Sequence, residues 1–246
     1  MALLETTEIT VRFGGNVALR DVSVAVEPGT VTGLIGPNGA GKTTLFNVIT
    51  GLLRPQSGRV MLGDDEVTRL PPYRRARKGL SRTFQRLELF TSLDVRDNVR
   101  VAGQIRNAAK FSDRLEVNSR ADEIIEMVGL TSVAHRDITE LPTGTARRVE
   151  LARCLMTKPR VVLLDEPASG QTESETEEFG ELLTKLTESE ELAICLVEHD
   201  MSLVMQVCSM IHVLDYGRII SVGTPEHVRN DPAVIDAYLG AAEGAA

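Results

Sequence analysis

Eight consecutive residues, Gly36-Pro37-Asn38-Gly39-Ala40-Gly41-Lys42-Thr43, restrict the possible folds more than any other stretch of the chain. The apolar run Val31 to Ile35 leads into them, and Lys42 to Thr50 continues with helical character until Gly51. A strand that enters a glycine-rich turn and leaves as a helix lets backbone N–H groups wrap phosphates, and the helix N-terminus favours negative charge. Spacing alone also fits a glycine-rich turn with no ligand; the position between strand and helix favours a nucleotide. In that reading Lys42 reaches the β- and γ-phosphates and Thr43 ligates magnesium.

A nucleotide site needs a second acidic strand. Val161 to Leu164 is a continuous apolar run, as expected for a strand buried on both faces of a parallel sheet, and it ends in Asp165-Glu166-Pro167. Asp165 then stands where such a sheet presents ligands and takes the magnesium side. Glu166 is the candidate general base for a water attacking the γ-phosphate. Two adjacent carboxylates alone would be a polar turn; the phosphate loop shifts the reading to function. His199 follows the strand Ala193 to Val197, which predicts the same sheet edge as Asp165 and a ring within reach of the γ-phosphate. Gln85 is expected to end a strand from Leu80 to Phe84, where its amide oxygen completes the magnesium shell or orients water. His135, His212 and His227 have no motif around them and read as structural or surface residues.

The rest of the chain supports an α/β fold. The first 30 residues alternate loosely and are broken by Gly14-Gly15 and Pro28-Gly29, which predicts strands joined by turns. From about Leu93 to Thr157 the spacing becomes helical, as at Ile124, Ile125 and Val128. Beyond Glu166, Phe179, Leu182, Leu183 and Leu186 make one helical stripe, and Tyr216-Gly217 separates two short strands as a hairpin turn does. At 246 residues, 42% hydrophobic and 25% charged, the chain buries a sizeable core without a staple. Cys154, Cys195 and Cys208 stand alone in apolar stretches, the pattern of reduced thiols in the cytosol. No N-terminal leader pattern and no run of about 18 apolar residues is expected to engage a bilayer, so any membrane role is borrowed from a partner. A net charge of −8 argues against nucleic acid. The basic cluster Arg74, Arg75, Arg77 and Lys78 reads as the solvated face of a short helix opened by Pro71-Pro72.

The order Gly36 to Thr43, Gln85, Leu141 to Thr145, Val161 to Glu166 and His199 resembles the ABC ATPase family over nearly the whole chain. The resemblance implies one P-loop NTPase domain over 1–246. Its nucleotide-binding core with an N-terminal antiparallel β-subdomain would span 1–92 and 158–240, its inserted helical subdomain 93–157, and a tail at 241–246 is expected to fray. It implies ATP and Mg2+ as cofactors, ATP held by Phe13 stacking on adenine and by Gly36 to Thr44 (with Thr44 beside Thr43), Gln85 as the coupling loop, and His199 as a switch. It also implies a second ABC ATPase subunit, transmembrane permease subunits, and an extracytoplasmic solute-binding protein, with the chain peripheral at the cytoplasmic face of the membrane. Arg82-Thr83-Phe84-Gln85 and the endings Glu198 to Met201, Leu214 to Gly217 and Ala237 to Gly240 look most like ATPase subunits of branched-chain amino acid importers. Lipid-type exporter ATPases and non-transport ABC ATPases acting on nucleic acid or ribosomes are the alternatives.

Two departures stand out from the family pattern. The signature Leu-Ser-Gly-Gly-Gln appears as Leu141-Pro142-Thr143-Gly144-Thr145, so a proline replaces the serine that would bond the opposite γ-phosphate. Thr172 stands where the family often has aspartate. Both belong to elements given to a partner's site, which implies an asymmetric heterodimer; the alternative is that Thr143 or Thr145 supplies the missing hydroxyl.

Overall fold

A computed structural model of the chain describes residues 2–107, 114–190 and 192–243. Ten strands and nine α-helices run, among the described residues, in the order β1 (Leu4–Phe13), β2 (Asn16–Val26), β3 (Val31–Ile35), α1 (Lys42–Thr50), β4 (Ser57–Leu62), β5 (Asp65–Glu66), α2 (Pro72–Arg77), β6 (Leu80–Arg82), α3 (Val95–Asn107), α4 (Arg114–Met127), α5 (Thr143–Met156), β7 (Val161–Asp165), α6 (Glu173–Glu190), β8 (Ala193–Val197), α7 (Met201–Val207), β9 (Met210–Asp215), β10 (Arg218–Gly223), α8 (Pro225–Asn230) and α9 (Pro232–Glu243).

Two sheets form. The first is ordered β2-β1-β4-β5 and is antiparallel throughout; the second is ordered β10-β9-β3-β8-β7-β6. In the second, β9, β3, β8, β7 and β6 pair in parallel, and β10 closes the edge antiparallel. Alternation along β7 divides the core: Val161 and Leu163 face the layer containing α1 and the antiparallel sheet, while Val162 and Leu164 face the helices α5, α6 and α7. That is why the run lacks polar residues, as a strand covered on both faces must. Phe46, Leu45 and Ile49 of α1 are fully buried between the sheets, each such side chain contributing roughly 1.5–3 kcal/mol. This packing fixes where the phosphate loop ends and its helix begins.

Three expectations need correction. Arg75 is not on a wet helix face: it is 2% exposed. Its guanidinium donates to the carbonyls of Val48, Ile49, Thr68 and Leu70 at 2.6–3.0 Å. Val48 and Ile49 end α1, so this cation satisfies carbonyls that the helix leaves open and complements its dipole. With carbonyls alone around it, burial lowers the Arg75 pKa to about 10. Strand β6 stops at Arg82 rather than Phe84, because Thr83 already makes the last sheet bond, to Leu163 O at 3.0 Å. Helix α9 continues to Glu243, through the first part of the expected tail; residues 244–246 lie outside the described residues.

Candidate functional site

The phosphate loop bridges β3 and α1. Gly41 is the N-cap of α1 with φ +114, and no side chain caps the helix, so its first N–H groups stay open. Gly36 has φ +148, and a Cβ there would lie 1.9 Å from Leu214 O, so β9 excludes any side chain. Lys42 curls back into the loop, its Nζ donating to Gly36 O at 2.6 Å and Pro37 O at 3.0 Å. Burial lowers its pKa, while the charges of Glu166 and Asp165 pull it upward. Both carboxylates are therefore within electrostatic reach of the ammonium. Thr43, Asn38 and Gly39 are exposed, Thr44 and Pro37 half-buried, and Ala40 buried. Such a cradle of open N–H groups and one cation fits a chain of phosphates.

The C-terminal ends of neighbouring strands bring the other candidates to this edge. Asp165 is the last residue of β7 and pairs with Val197, the last of β8; Glu166 follows β7 directly, and His199 follows β8 after one intervening residue, Glu198. Glu166 has φ +50, an uncommon conformation for a residue with a side chain. Its N–H donates to Val197 O at 2.9 Å, and Gln85 Nε2 donates to its Oε2 at 2.9 Å. The His199 side chain is 66% exposed, with Nδ1 3.8 Å from Glu198 Oε2. Phe13 ends β1, 54% exposed, on the hairpin whose second strand touches the loop: a Cβ on Gly41 would meet Ala18 O at 2.9 Å.

Thr143, Gly144 and Thr145 are elsewhere. They open α5 after Pro142, whose φ of −56° suits a position that needs no N–H, and no side chain caps the helix. No hydrogen bond among the described residues joins them to Gly36–Thr44. They pack instead on the turn after Glu166: a Cβ on Gly144 would meet Glu175 Oε1 at 3.1 Å, and one on Gly170 would meet Thr143 Cγ2 at 3.4 Å. Thr172 has a local reason. Its N–H donates to Glu175 Oε2 at 2.9 Å, and Glu175 N–H donates back to its hydroxyl at 3.3 Å, a capping box that opens α6. The two departures from the family pattern are thus spatial neighbours.

Residues without a motif hold the site together. Arg82 donates to Asp165 Oδ2 at 2.8 Å and Asn47 Oδ1 at 2.7 Å, between the rings of Phe46 and Phe84, and both members of the ion pair are 6% exposed. One segment, 82–85, therefore grips both adjacent carboxylates, Asp165 through Arg82 and Glu166 through Gln85. On α5, Arg147 donates to Phe84 O and Gln85 O and pairs with Glu150 at 2.9 Å. Glu150 accepts from Glu88 N–H at 2.9 Å, and Arg153 donates to Glu88 O. The i, i+3 spacing of opposite charges in Arg147, Glu150 and Arg153 was a signal for such a ladder; Arg82, a lone cation before Gln85, carried none.

The family model described as "ABC transporter" matches residues 19–169. The chain belongs to the ABC transporter ATP-binding family. A second model of that family, "Branched-chain amino acid ATP-binding cassette transporter", matches 218–244. The high-affinity branched-chain amino acid transport ATP-binding protein BraF of Pseudomonas aeruginosa is 41% identical over 251 residues, covering 98% of each chain. The LivG protein of Escherichia coli with the same description is 40% identical with the same coverage. Among solved ABC transporter cassettes, one in its ADP conformation superposes with a TM-score of 0.86 at 30% identity, covering 98% of this chain and 99% of the other.

Proposed function

We propose that this chain is the ATP-hydrolysing subunit of a membrane importer whose cargo is branched-chain amino acids or a related small solute. The observation that carries the reading is the convergence of the phosphate loop, Gln85, Asp165-Glu166 and His199 at the ends of four neighbouring strands. Phe13 stacks on adenine; Gly36 to Thr44 wrap the phosphates. Lys42 exchanges its loop carbonyls for phosphate oxygens, which are better partners for an ammonium. Glu166 takes the proton of the attacking water, and His199, beyond the end of the neighbouring strand, reaches the γ-phosphate.

Thr43, Asp165 and Gln85 would hold magnesium, a set of hydroxyl, carboxylate and amide oxygens that suits a hard cation. Arg82 engages Asp165 through Oδ2, which leaves Oδ1 for the ion. When bound, the ion neutralises charge on the β- and γ-phosphates.

A second ATPase chain supplies its own signature helix to this site and receives Thr143, Gly144 and Thr145 in return. The return is the weaker half, since Pro142 offers no hydroxyl. Among the described residues no helix is long and apolar enough to cross a membrane. In this reading the chain is peripheral at the cytoplasmic face, and permease subunits dock in its groove of ≈ 390 Å³ lined by Leu52, Phe84, Glu88, Ile105, Glu150 and Arg153. Leu52, Phe84 and Ile105 are exposed apolar side chains there, and Phe84 adjoins Gln85, so a docked helix moves the residue that touches Glu166.

Affinity purification of the tagged chain from membranes tests the reading. A permease pair and a different ATPase chain are expected, with uptake of leucine, isoleucine or valine lost when the chain is deleted. Recovery with a lipid-exporting assembly, or with ribosomes, would refute it.

A further inference from the structure

We infer that Glu198 is a positioning residue that clasps the turn carrying Glu166 to the turn carrying His199, so that the two groups are held as one unit. The inference rests on the functional reading above, which gives those two residues their roles.

Glu198 follows β8 directly and is 1% exposed, between two surface turns. Its Oε1 accepts the N–H of Ala168 at 2.8 Å. Its Oε2 accepts the N–H groups of His199 at 3.0 Å and Asp200 at 3.3 Å. One buried carboxylate thus gathers three backbone donors from two separate segments of chain.

Ala168 lies two residues beyond Glu166 and is itself buried. With Glu166 N–H on Val197 O, the turn after β7 is tied twice to the end of β8, at its first residue and at its third. Between those ties sit the left-handed φ of Glu166 and Pro167, so the aim of the Glu166 side chain depends on both. Asp200 in turn caps α7 by accepting from Ser202 and Leu203. Glu198 therefore also sets where the histidine leaves the strand.

The chemistry requires a carboxylate here. Both oxygens of Glu198 face donors, and an ionised carboxylate only accepts, whereas an amide would turn its NH2 against one set of N–H groups. Burial pushes the Glu198 carboxyl above its usual range, and the three N–H groups pull it back. Such a cost is tolerated where a polar group is fully satisfied and its position matters.

Glu198→Gln in the assembled complex tests this. It loses one anchor while leaving the phosphate loop untouched. Turnover is expected to fall about tenfold or more, since misplacing a reacting group by about 1 Å can cost 10²-fold. The KM for ATP and the thermal shift induced by ATP stay within about twofold of the parent. A kcat within about twofold of the parent would overturn the clasp. So would an equal loss in kcat and in the ATP-induced shift, which marks a general structural defect. If the glutamine variant fails to assemble, Glu198→Asp, which keeps the charge but is too short to reach both turns, is read by the same criteria. Glu166→Gln measured in parallel separates the layers: unchanged activity there refutes the functional reading, whereas a Glu166→Gln variant with at least half of the activity lost beside a normal Glu198→Gln refutes only the clasp.

Discussion

Glu166→Gln in the assembled complex is expected to hydrolyse ATP roughly 100- to 10,000-fold more slowly than the parent, the range that general base catalysis supplies. The substitution keeps the size of the side chain and leaves an amide oxygen to accept from Gln85 Nε2, which now donates to Glu166 at 2.9 Å. Folding and nucleotide binding should persist. The magnitude also decides the question of symmetry. Two equivalent sites in a dimer of different chains would leave about half of the turnover to the site built on the other chain's base. The proline at 142 argues that this other site, which borrows the uncapped start of α5, is the weaker one. Near-complete loss of phosphate release therefore supports asymmetry, and survival of half or more contradicts it.

Lys42→Ala is expected to abolish the stabilisation that ATP confers on the full chain. A ligand at about 100 times its dissociation constant stabilises its protein by roughly 2.7 kcal/mol, which for a chain of this size is about 5–10 °C in Tm. In the variant at the same ATP concentration, the shift should vanish. The fold itself should tolerate the change. Lys42 loses bonds to Gly36 O and Pro37 O, but a buried ammonium whose pKa is lowered by desolvation is also removed. These effects oppose one another, so the nucleotide-free Tm should move far less than the ATP shift. An undiminished ATP-induced shift would remove Lys42 from the phosphate site.

Much of the architecture was legible because its signals are local. Strands β3 and β8 fall on the apolar runs Val31–Ile35 and Ala193–Val197, and the left-handed φ values of Tyr216 and Gly217 fit the hairpin those residues announce. Parallel strands buried on both faces leave long apolar runs, and their C-terminal ends mark where chemistry gathers. For that reason the sequence alone places Lys42, Asp165, Glu166 and His199 at one edge. The supporting residues were hidden because their partners are distant in sequence. Arg75 reads as one cation in a solvated run, and its burial depends on carbonyls at Val48 and Ile49. Glu198 resembles any polar residue after a strand until Ala168 arrives beside it. Thr172 departs from the family pattern, and Thr172-Glu173-Ser174-Glu175 also spells a capping box.

The central claim is that this chain's phosphate loop and Glu166 turn over ATP in the service of a membrane partner. Phosphate release by the complete assembly in lipid vesicles, with and without the transported solute and its binding protein, tests it most directly. Hydrolysis that requires this chain, rises with solute and falls at least about 100-fold in Glu166→Gln is the predicted result. Hydrolysis by the assembly that persists unchanged in that variant, or that is indifferent to the membrane subunits, would contradict the account.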